Sequence, residues 1–340
     1  MNRYTRRLGH WTSGGLVAVL GLVLAGCTGL ATAGPAAPAP GQTSQPAAAH
    51  AAPHTTYPAS LQPAPAGTTH KITLTIEEKV VSVAEGVRAK VWTFGGTVPG
   101  PALRVKQGDY IEFTLVNKGT LSHSMDFHAA QTPWDKNYKS ILPGETLSYT
   151  WKAEYPGVFM YHCGSAPALL HISNGMYGAI IVDPAEPLPP AKEYVLVQSE
   201  FYLKQSAQAG VMEGDWSKMT AVQPDYVTFN GYAEQYKDAP LTANSGERVR
   251  IYVMNAGPNL FSAFHMVGAI FDKAYADGNP ANVQRGMQTV TIPPGGGYVV
   301  ELTVPNEGLY PIVTHAFAYP GKGALGLLKV GNPAATTGSH

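Results

Sequence analysis

The feature that most constrains this chain is the pair His162-Cys163, which lies in a run of residues typical of a β-strand. Seven residues separate Cys163 from His171, and four more separate His171 from Met176. With His123, these side chains supply one thiolate, two imidazoles and a thioether, the donors of a blue-copper electron-transfer site. Adjacent residues on a strand point to opposite faces. If Cys163 points inward to a buried metal, His162 points outward and can bind a second metal, which predicts redox catalysis.

The N-terminal residues 1–27 are predicted to be an export signal. Three arginines precede the apolar run 16–25, and the segment that ends at Cys27 resembles a lipobox, in which the cysteine is lipidated after cleavage. A membrane-spanning helix would need about 20 apolar residues, more than this run contains. We therefore expect a lipoprotein-type signal peptide and an exported protein, anchored through Cys27 on the periplasmic or extracellular face of the cell envelope.

The use of cysteine also points to a bound metal. Because Cys27 belongs to the predicted lipoprotein signal, Cys163 is the single cysteine of the mature fold. An exported protein with one thiol has no internal disulfide framework. A lone thiol in an oxidising compartment is open to oxidation unless something occupies it, and a copper ion at Cys163 would do so.

The composition limits which structures the rest of the chain can form. Residues 28–69 are rich in Ala and Pro without an apolar period, and we expect a flexible, disordered tether there. Beyond it, short alternating runs recur between turns in a chain with 37 Gly and 28 Pro, which is typical of antiparallel sandwiches. The polar segment 204–235 lacks this pattern and is predicted to be a long loop. The formal net charge of zero argues against a nucleic-acid partner.

The two halves of the expected folded region match each other. Residues 107–117 match 245–255, and Asp126-Phe127-His128 matches Ala263-Phe264-His265. This repeat predicts an all-β fold of two tandem Greek-key β-sandwich domains. The first domain covers 70–185 and the second 186–333. Because the second half contains no cysteine, it cannot hold a blue-copper site.

The spacing of the histidines assigns them to faces. In an extended segment, Asp126 and His128 point to one side and His123 to the other. His123 would then face the buried metal, and the other two side chains would lie outside with His162. His315 lies on the corresponding strand of the second half. Imidazoles from His128, His162 and His315 would leave one coordination position open, which is typical of a catalytic metal. Because outward side chains need a neighbour to close the site, we expect a subunit interface.

Together these motifs resemble the copper-containing, NO-forming nitrite reductases, which are two-domain cupredoxin proteins of the multicopper oxidase superfamily. The resemblance covers about residues 71–330. Segments 94–101 and 104–109 are similar to the superfamily in general, whereas the pattern of His, Cys and Met is specific to the reductases. The resemblance implies two cupredoxin-like domains, two coppers per chain and a homotrimer.

The resemblance also implies a role for each site residue. The type 1 copper ligands are His123, Cys163, His171 and Met176. The type 2 copper ligands are His128 and His162 of one subunit and His315 of the adjacent one. The catalytic residues are Asp126 and His265.

Two departures from the family pattern bear on these roles. The seven-residue loop 164–170 is similar to a shorter version found in one branch of the family. Many members carry the catalytic histidine five residues later, where this chain has Ile270, and we assign the role to His265 as in the short-loop branch. The alternative is that His265 is a core histidine that orients neighbouring groups.

The implied activity is the one-electron reduction of nitrite to nitric oxide. An external donor, either a small cupredoxin or a cytochrome c, would supply the electron. Asp126 would hold nitrite and deliver one proton, and His265 would relay the other. Because an ordinary histidine has a pKa of about 6.5, it can carry protons near neutral pH. We therefore expect a rate that declines as the pH rises above neutrality.

Two other functions compete with this one. A two-domain laccase needs a trinuclear copper cluster built from His-x-His motifs, and the sequence contains none. A non-enzymatic cupredoxin would only carry electrons, with His128 and His315 in structural roles. The second alternative holds if the outward site binds no metal.

Overall fold

The computed structural model describes residues 54–333 of the 340-residue chain, so the predicted signal peptide and Cys27 lie outside the described residues. The described part is almost entirely β-structure, with 21 strands, four short α-helices and one 3₁₀ turn. This confirms the predicted all-β fold class. No helix within residues 54–333 is both long enough and apolar enough to cross a membrane.

The first half is built on two sheets. Its strands are β1 (Thr69–Ala84), β2 (Val87–Phe94), β3 (Leu103–Lys106), β4 (Tyr110–Asn117), β5 (Asp126–Phe127), β6 (Thr146–Lys152), β7 (Gly157–His162) and β8 (Tyr177–Asp183). Its helices are α1 (Trp134–Asn137) and α2 (Ala168–Ser173). One sheet contains β2-β1-β4-β6 in that order, and the other contains β3-β8-β7-β5.

The second half repeats this plan. Its strands are β9 (Lys192–Phe201), β10 (Leu203–Gln205), β11 (Met212–Gly214), β12 (Tyr226–Phe229), β13 (Leu241–Ala243), β14 (Arg248–Gly257), β15 (Ser262–Met266), β16 (Phe271–Ala276), β17 (Val283–Met287), β18 (Thr289–Ile292), β19 (Gly297–Thr303), β20 (Gly308–Thr314) and β21 (Leu325–Val330). Its helices are α3 (Trp216–Thr220) and α4 (Gln235–Asp238), and the 3₁₀ turn is Pro320–Lys322. The sheet orders are β12-β9-β14-β19-β16-β17 and β13-β21-β20-β15-β18.

Strand β7 is buried on both faces, and this decides where the residues at its end can point. Tyr161 packs in the core of the first half, where its ring lies 5.6 Å from that of Phe127. Its neighbour Met160 belongs to a different apolar cluster, which includes Val299 of the second half. Because side chains alternate along a strand, β7 sends successive residues into two separate environments.

The internal repeat is visible in the hydrogen bonds of two buried asparagines, Asn117 and Asn255. The side-chain amide of Asn117 donates to the carbonyls of Leu121 at 2.8 Å and Ile141 at 3.1 Å, and its oxygen accepts from the Gly119 N–H at 2.9 Å. Asn255 makes the same three kinds of bond, at 2.7, 3.0 and 3.1 Å. Each half therefore uses the same device to hold the loop that follows its long central strand.

The segment 204–235 is not the long loop that its composition predicted. It contains β11, α3 and β12, and β10 overlaps its start. Met212 of β11 pairs with Ala89 at the edge of β2, and the Asp215 carboxylate caps α3 by accepting from the backbone of Ser217 and Lys218. These elements are three to five residues long, which is too short to show an apolar period in the sequence.

The last part of the predicted tether contacts the fold. The Tyr57 hydroxyl donates to the Gly100 carbonyl at 3.0 Å, and the Tyr57 N–H donates to Gln235 at 2.8 Å. The Val195 N–H donates to the Ala59 carbonyl at 2.8 Å. Residues that the sequence assigned to a flexible segment up to residue 69 thus make specific contacts with both halves. The domain limits 70–185 and 186–333 stay predictions.

Replacing either asparagine of the repeat should destabilise the protein. Asn117→Ala leaves buried backbone groups without partners, and we expect the free energy of unfolding to fall by about 3 kcal/mol. Asn255→Ala should have a similar effect, whereas Asn306→Ala, at an exposed position, should change little. Denaturant unfolding of the three variants measures this. An Asn117→Ala protein as stable as the Asn306→Ala control would contradict it.

Candidate metal centres

Three donor atoms from separate elements converge in the core of the first half. Cys163 directly follows β7, His171 lies in α2, and His123 lies in the loop between β4 and β5. The Sγ of Cys163 is 3.3 Å from Nδ1 of His171 and 3.8 Å from Nδ1 of His123, and the two nitrogens are 3.1 Å apart. All three side chains are buried. The structure therefore brings together three of the four predicted type 1 ligands.

Met176, the fourth predicted type 1 ligand, is fully buried in the same apolar cluster as Cys163. The Cys163 N–H donates to the Met176 carbonyl at 3.1 Å, and the Met176 N–H donates to the His171 carbonyl at 3.2 Å. These backbone bonds tie the two ends of the segment from Cys163 to Met176 together. A thioether is a weak ligand of the kind that blue-copper sites use.

The loop before β5 holds His123 from the other side. The His123 N–H donates to the Ile141 carbonyl at 3.1 Å, and the Ile141 N–H donates back to the His123 carbonyl at 2.8 Å. The Asn117 amide donates to that same Ile141 carbonyl. The asparagine of the internal repeat thus fixes the loop that positions one imidazole of the site.

Burial sets the protonation of these three donors. Burial raises the pKa of the Cys163 thiol, and hydrogen bonds from Ser124 oppose this effect. Burial, together with the nearby His171, lowers the pKa of His123 to about 4. Burial also lowers the pKa of His171. At neutral pH the metal-free site therefore holds a protonated thiol and two neutral imidazoles.

One metal ion fits between these donors. Metal–nitrogen bonds of about 2.0 Å and metal–sulfur bonds of about 2.3 Å, at angles of about 105–120°, place the donor atoms about 3.2–3.7 Å apart. The observed separations of 3.1, 3.3 and 3.8 Å lie close to that range. A thiolate with two imidazoles and a thioether favours copper.

A second cluster lies on the opposite face of the same strand pair. Asp126 of β5 is directly opposite His162 of β7 in the ladder. The Nε2 of His162 is 3.1 Å from Nε2 of His128 and 3.8 Å from a carboxylate oxygen of Asp126. The side chains of His162 and Cys163 therefore join different clusters, in the arrangement that strand alternation predicted.

Backbone carbonyls orient both imidazoles of this second cluster. The Nδ1–H of His162 donates to the Cys163 carbonyl at 3.0 Å, and the Nδ1–H of His128 donates to the Gly295 carbonyl at 3.1 Å. With the proton on Nδ1, each Nε2 keeps a lone pair for a metal. Gly295 lies in a second-half turn, and no pattern in the sequence marks it as part of the site. Its Pro-Pro-Gly-Gly composition signals a turn but not the partner of its carbonyl.

The second half presents an equivalent pair of histidines, His265 and His315. His315 follows β20 directly, and its N–H donates to the Ala263 carbonyl at 2.7 Å. The two rings have centroids 5.3 Å apart, compared with 5.0 Å for His128 and His162. Within residues 54–333 of one chain, neither joins either of the two clusters of potential metal donors in the first half. One chain therefore does not bring His315 to the other two predicted type 2 ligands.

We call the two histidine pairs, His128–His162 and His265–His315, half-sites. The two predicted catalytic residues lie on different half-sites. The Asp126 side chain is 31% exposed beside His162. The Nδ1–H of His265 donates to the Gln288 carbonyl at 2.5 Å, which leaves Nε2 free. The His265 ring is only partly buried, at the surface shared with His315. Both groups can therefore be reached from outside the chain, as proton transfer to a substrate requires.

Comparisons of the sequence and of the structure with known proteins agree with one another. Residues 75–187 match the family model described as multicopper oxidase. The chain is 43% identical over 260 residues to a copper-containing nitrite reductase of Neisseria meningitidis, covering 74% of this chain and 66% of that protein. It is 33% identical over 262 residues to that of Alcaligenes xylosoxydans xylosoxydans, covering 70% and 79%. A solved copper nitrite reductase from Nitrosomonas europaea has 42% identity and a TM-score of 0.73, covering 78% and 95%.

These similarities and the donor sets agree on the metal. The chain spans just under two thirds of the Neisseria meningitidis relative and nearly all of the solved Nitrosomonas europaea chain. The relatives are named for copper, and the cluster of His123, Cys163 and His171 is the donor set that copper favours. Copper is the cofactor of this protein.

Loading the site at Cys163 should release one proton. Above pH 7 the two imidazoles are already neutral and only the thiol, with its raised pKa, must lose a proton to bind the metal. The affinity of this site for copper should therefore rise about tenfold per pH unit between pH 7 and 8. Titration calorimetry in buffers of different ionisation enthalpy measures the protons released. A Cys163→Ser protein should release about one proton fewer per chain, and equal release would contradict the account.

Proposed function

Because this chain belongs to the family of copper-containing nitrite reductases, we propose that it reduces nitrite to nitric oxide and water with one electron and two protons. The observation that carries this proposal is the position of two metal-donor clusters at adjacent residues. Cys163 belongs to the buried cluster and His162 to the surface cluster. A peptide bond therefore links a site suited to electron transfer with a site suited to binding a small anion.

We assign the donors as follows. The type 1 ligands are His123, Cys163, His171 and Met176, and the type 2 ligands are His128, His162 and His315 of an adjacent subunit. When bound, copper supplies one-electron transfer at the first site and a Lewis-acidic position for nitrite at the second. The buried, hydrogen-bonded first site is preorganised, so its side chains need little rearrangement when the charge changes. An external donor, a small cupredoxin or a cytochrome c, supplies the electron.

A second copy of the chain completes the surface cluster. His315 is exposed, and the ring of Phe317 lies 4.5 Å from its imidazole. Phe317 is itself 64% exposed, and Phe261, next to β15, is 58% exposed. Large exposed apolar side chains around a half-site are typical of a surface that another protein covers. We infer a homotrimer in which each His128–His162 pair meets His315 of the next subunit.

Protons reach nitrite from Asp126 and His265. The Asp126 carboxylate lies 3.8 Å from Nε2 of His162, within reach of a small anion bound there. The carbonyl of Gln288 holds the His265 ring through Nδ1, so Nε2 points away from that bond and can pass a proton. We further propose that the chain is exported and lipid-anchored at Cys27, as its N-terminal sequence predicts.

The alternatives receive less support. A laccase-type reaction would need additional paired histidines, and the part of the chain described here contains two clusters of metal-donor side chains rather than three or four. A simple electron carrier would not need His128 and His162 oriented through their Nδ1 protons. The shared orientation of their Nε2 atoms favours a metal at the second site.

Removing the carboxylate should slow the reaction without removing copper. In Asp126→Asn, we expect nitric oxide formation from nitrite to fall by about 100-fold, because general acid catalysis is lost. The copper content and the type 1 absorption should stay unchanged. An NO electrode with a chemically reduced dye measures the rate between pH 6 and 8.5, where the wild-type rate should decline above neutrality. A variant as fast as wild type, or a flat pH profile, would contradict the proton roles.

His315 and His265 form a matched pair for testing the type 2 site. His315→Ala should retain one copper per chain with its type 1 absorption and lose nitric oxide formation. His265→Ala should retain both coppers and should only form nitric oxide more slowly. Metal analysis of each purified variant, together with sedimentation to measure subunit number, separates these outcomes. Two coppers per chain in His315→Ala would show that this histidine is not a ligand.

A further inference from the structure

One aromatic ring touches both imidazoles of the buried site. The indole of Trp92, on β2, has its centroid 5.0 Å from the His171 ring and 5.5 Å from the His123 ring. The interplanar angles are 65° and 67°, so both contacts are of the edge-to-face kind that aromatic rings favour. The indole therefore restrains the orientation of two predicted type 1 ligands at once.

Trp92 lies where one face of β2 changes from solvent to core. Along this face Arg88 and Lys90 are exposed, Trp92 is partly buried, and Phe94 is fully buried. Both imidazoles behind the indole are at most 5% exposed. Trp92 thus lies between the two imidazoles and the solvent-exposed end of this face.

Backbone contacts hold β2 at Trp92 against the ligand loop, the segment from His171 to Met176. The Trp92 N–H donates to the Asn174 carbonyl at 2.8 Å, within the segment between His171 and Met176. The adjacent Gly175 has a φ of +108°, and a Cβ there would lie 3.1 Å from the Trp92 carbonyl and 2.6 Å from Val98. This close approach requires glycine, so the backbone of β2 at Trp92 packs directly on the ligand loop.

We propose that Trp92 is a positioning residue that raises the reduction potential of the type 1 site by keeping water away from His123 and His171. This inference rests on the type 1 ligand set of the proposed function. The oxidised site carries one more positive charge than the reduced site, and nearby water stabilises the charge. A dry apolar wall therefore favours the reduced form, as the apolar surroundings of a metal do in general.

A graded series at Trp92 tests this. In the copper-loaded protein poised at a fixed potential, the ratio of reduced to oxidised type 1 copper should fall as the side chain shrinks. We expect less than a twofold fall in Trp92→Phe, about threefold in Trp92→Leu and at least tenfold in Trp92→Ala; tenfold corresponds to about 59 mV. Spectroelectrochemistry at the type 1 absorption band measures the ratio. If Trp92→Ala does not fold, the threefold fall in Trp92→Leu carries the test.

Trp151 provides the matched control. It lies in the same apolar core, 5% exposed, with its ring 5.2 Å from that of Phe127 and no ring contact with a histidine among the residues described. Trp151→Leu should lower Tm but leave the ratio unchanged. A purely structural role for Trp92 would give that same result in Trp92→Leu and would overturn the proposal. If the wild-type protein shows no type 1 absorption, the proposed type 1 ligand set is wrong. If only nitrite turnover is absent, the reduction potential of the type 1 site can still be measured, and the test of Trp92 remains valid.

Discussion

The peptide bond between His162 and Cys163 joins the two donor clusters and fixes the distance between them. Because β7 is buried on both faces, its last residues cannot rotate to exchange sides. Tyr161 and Met160 pack into separate apolar clusters and hold the strand in register. The two donor clusters are therefore fixed relative to each other by packing and covalent geometry, without any side chain that must move.

The second half contributes two structural features to the sites of the first half. It contributes the Gly295 carbonyl that orients His128, and it buries one face of β7. It also repeats the histidine pair as His265 and His315, but lacks the cysteine that would make a second buried site. The duplication thus explains why one chain carries two surface pairs of imidazoles. The proposed type 2 site uses both imidazoles of the first pair and His315 of the second.

Much of this arrangement could be predicted from the sequence, for local reasons. Strand alternation alone placed His162 and Cys163 on opposite faces, and the repeat located His265. The contacts between distant segments could not be predicted. His128 and Gly295 are 167 residues apart, and nothing in either segment indicates their pairing. The Trp92 contacts likewise arise from how β2 packs on the ligand loop.

The short elements between residues 203 and 229 escaped prediction for a different reason. Strands of three or four residues form where the edge of another strand can pair with them, and they are too short to show an apolar period in the sequence. The helix α2, which carries His171, is similarly brief and begins after Pro167. The short elements between residues 203 and 229 contribute no residue to either donor cluster among the residues described, whereas α2 places His171 in the buried cluster.

We infer that two coppers bind at adjacent residues and that a second chain completes the outer site. A crystal structure of the copper-loaded protein, with anomalous scattering measured at the copper edge, can locate both ions. We expect two peaks per chain, one among His123, Cys163 and His171, and one where His128 and His162 meet His315 of another chain. A single peak per chain, or a second peak bound by residues of one chain alone, would contradict it.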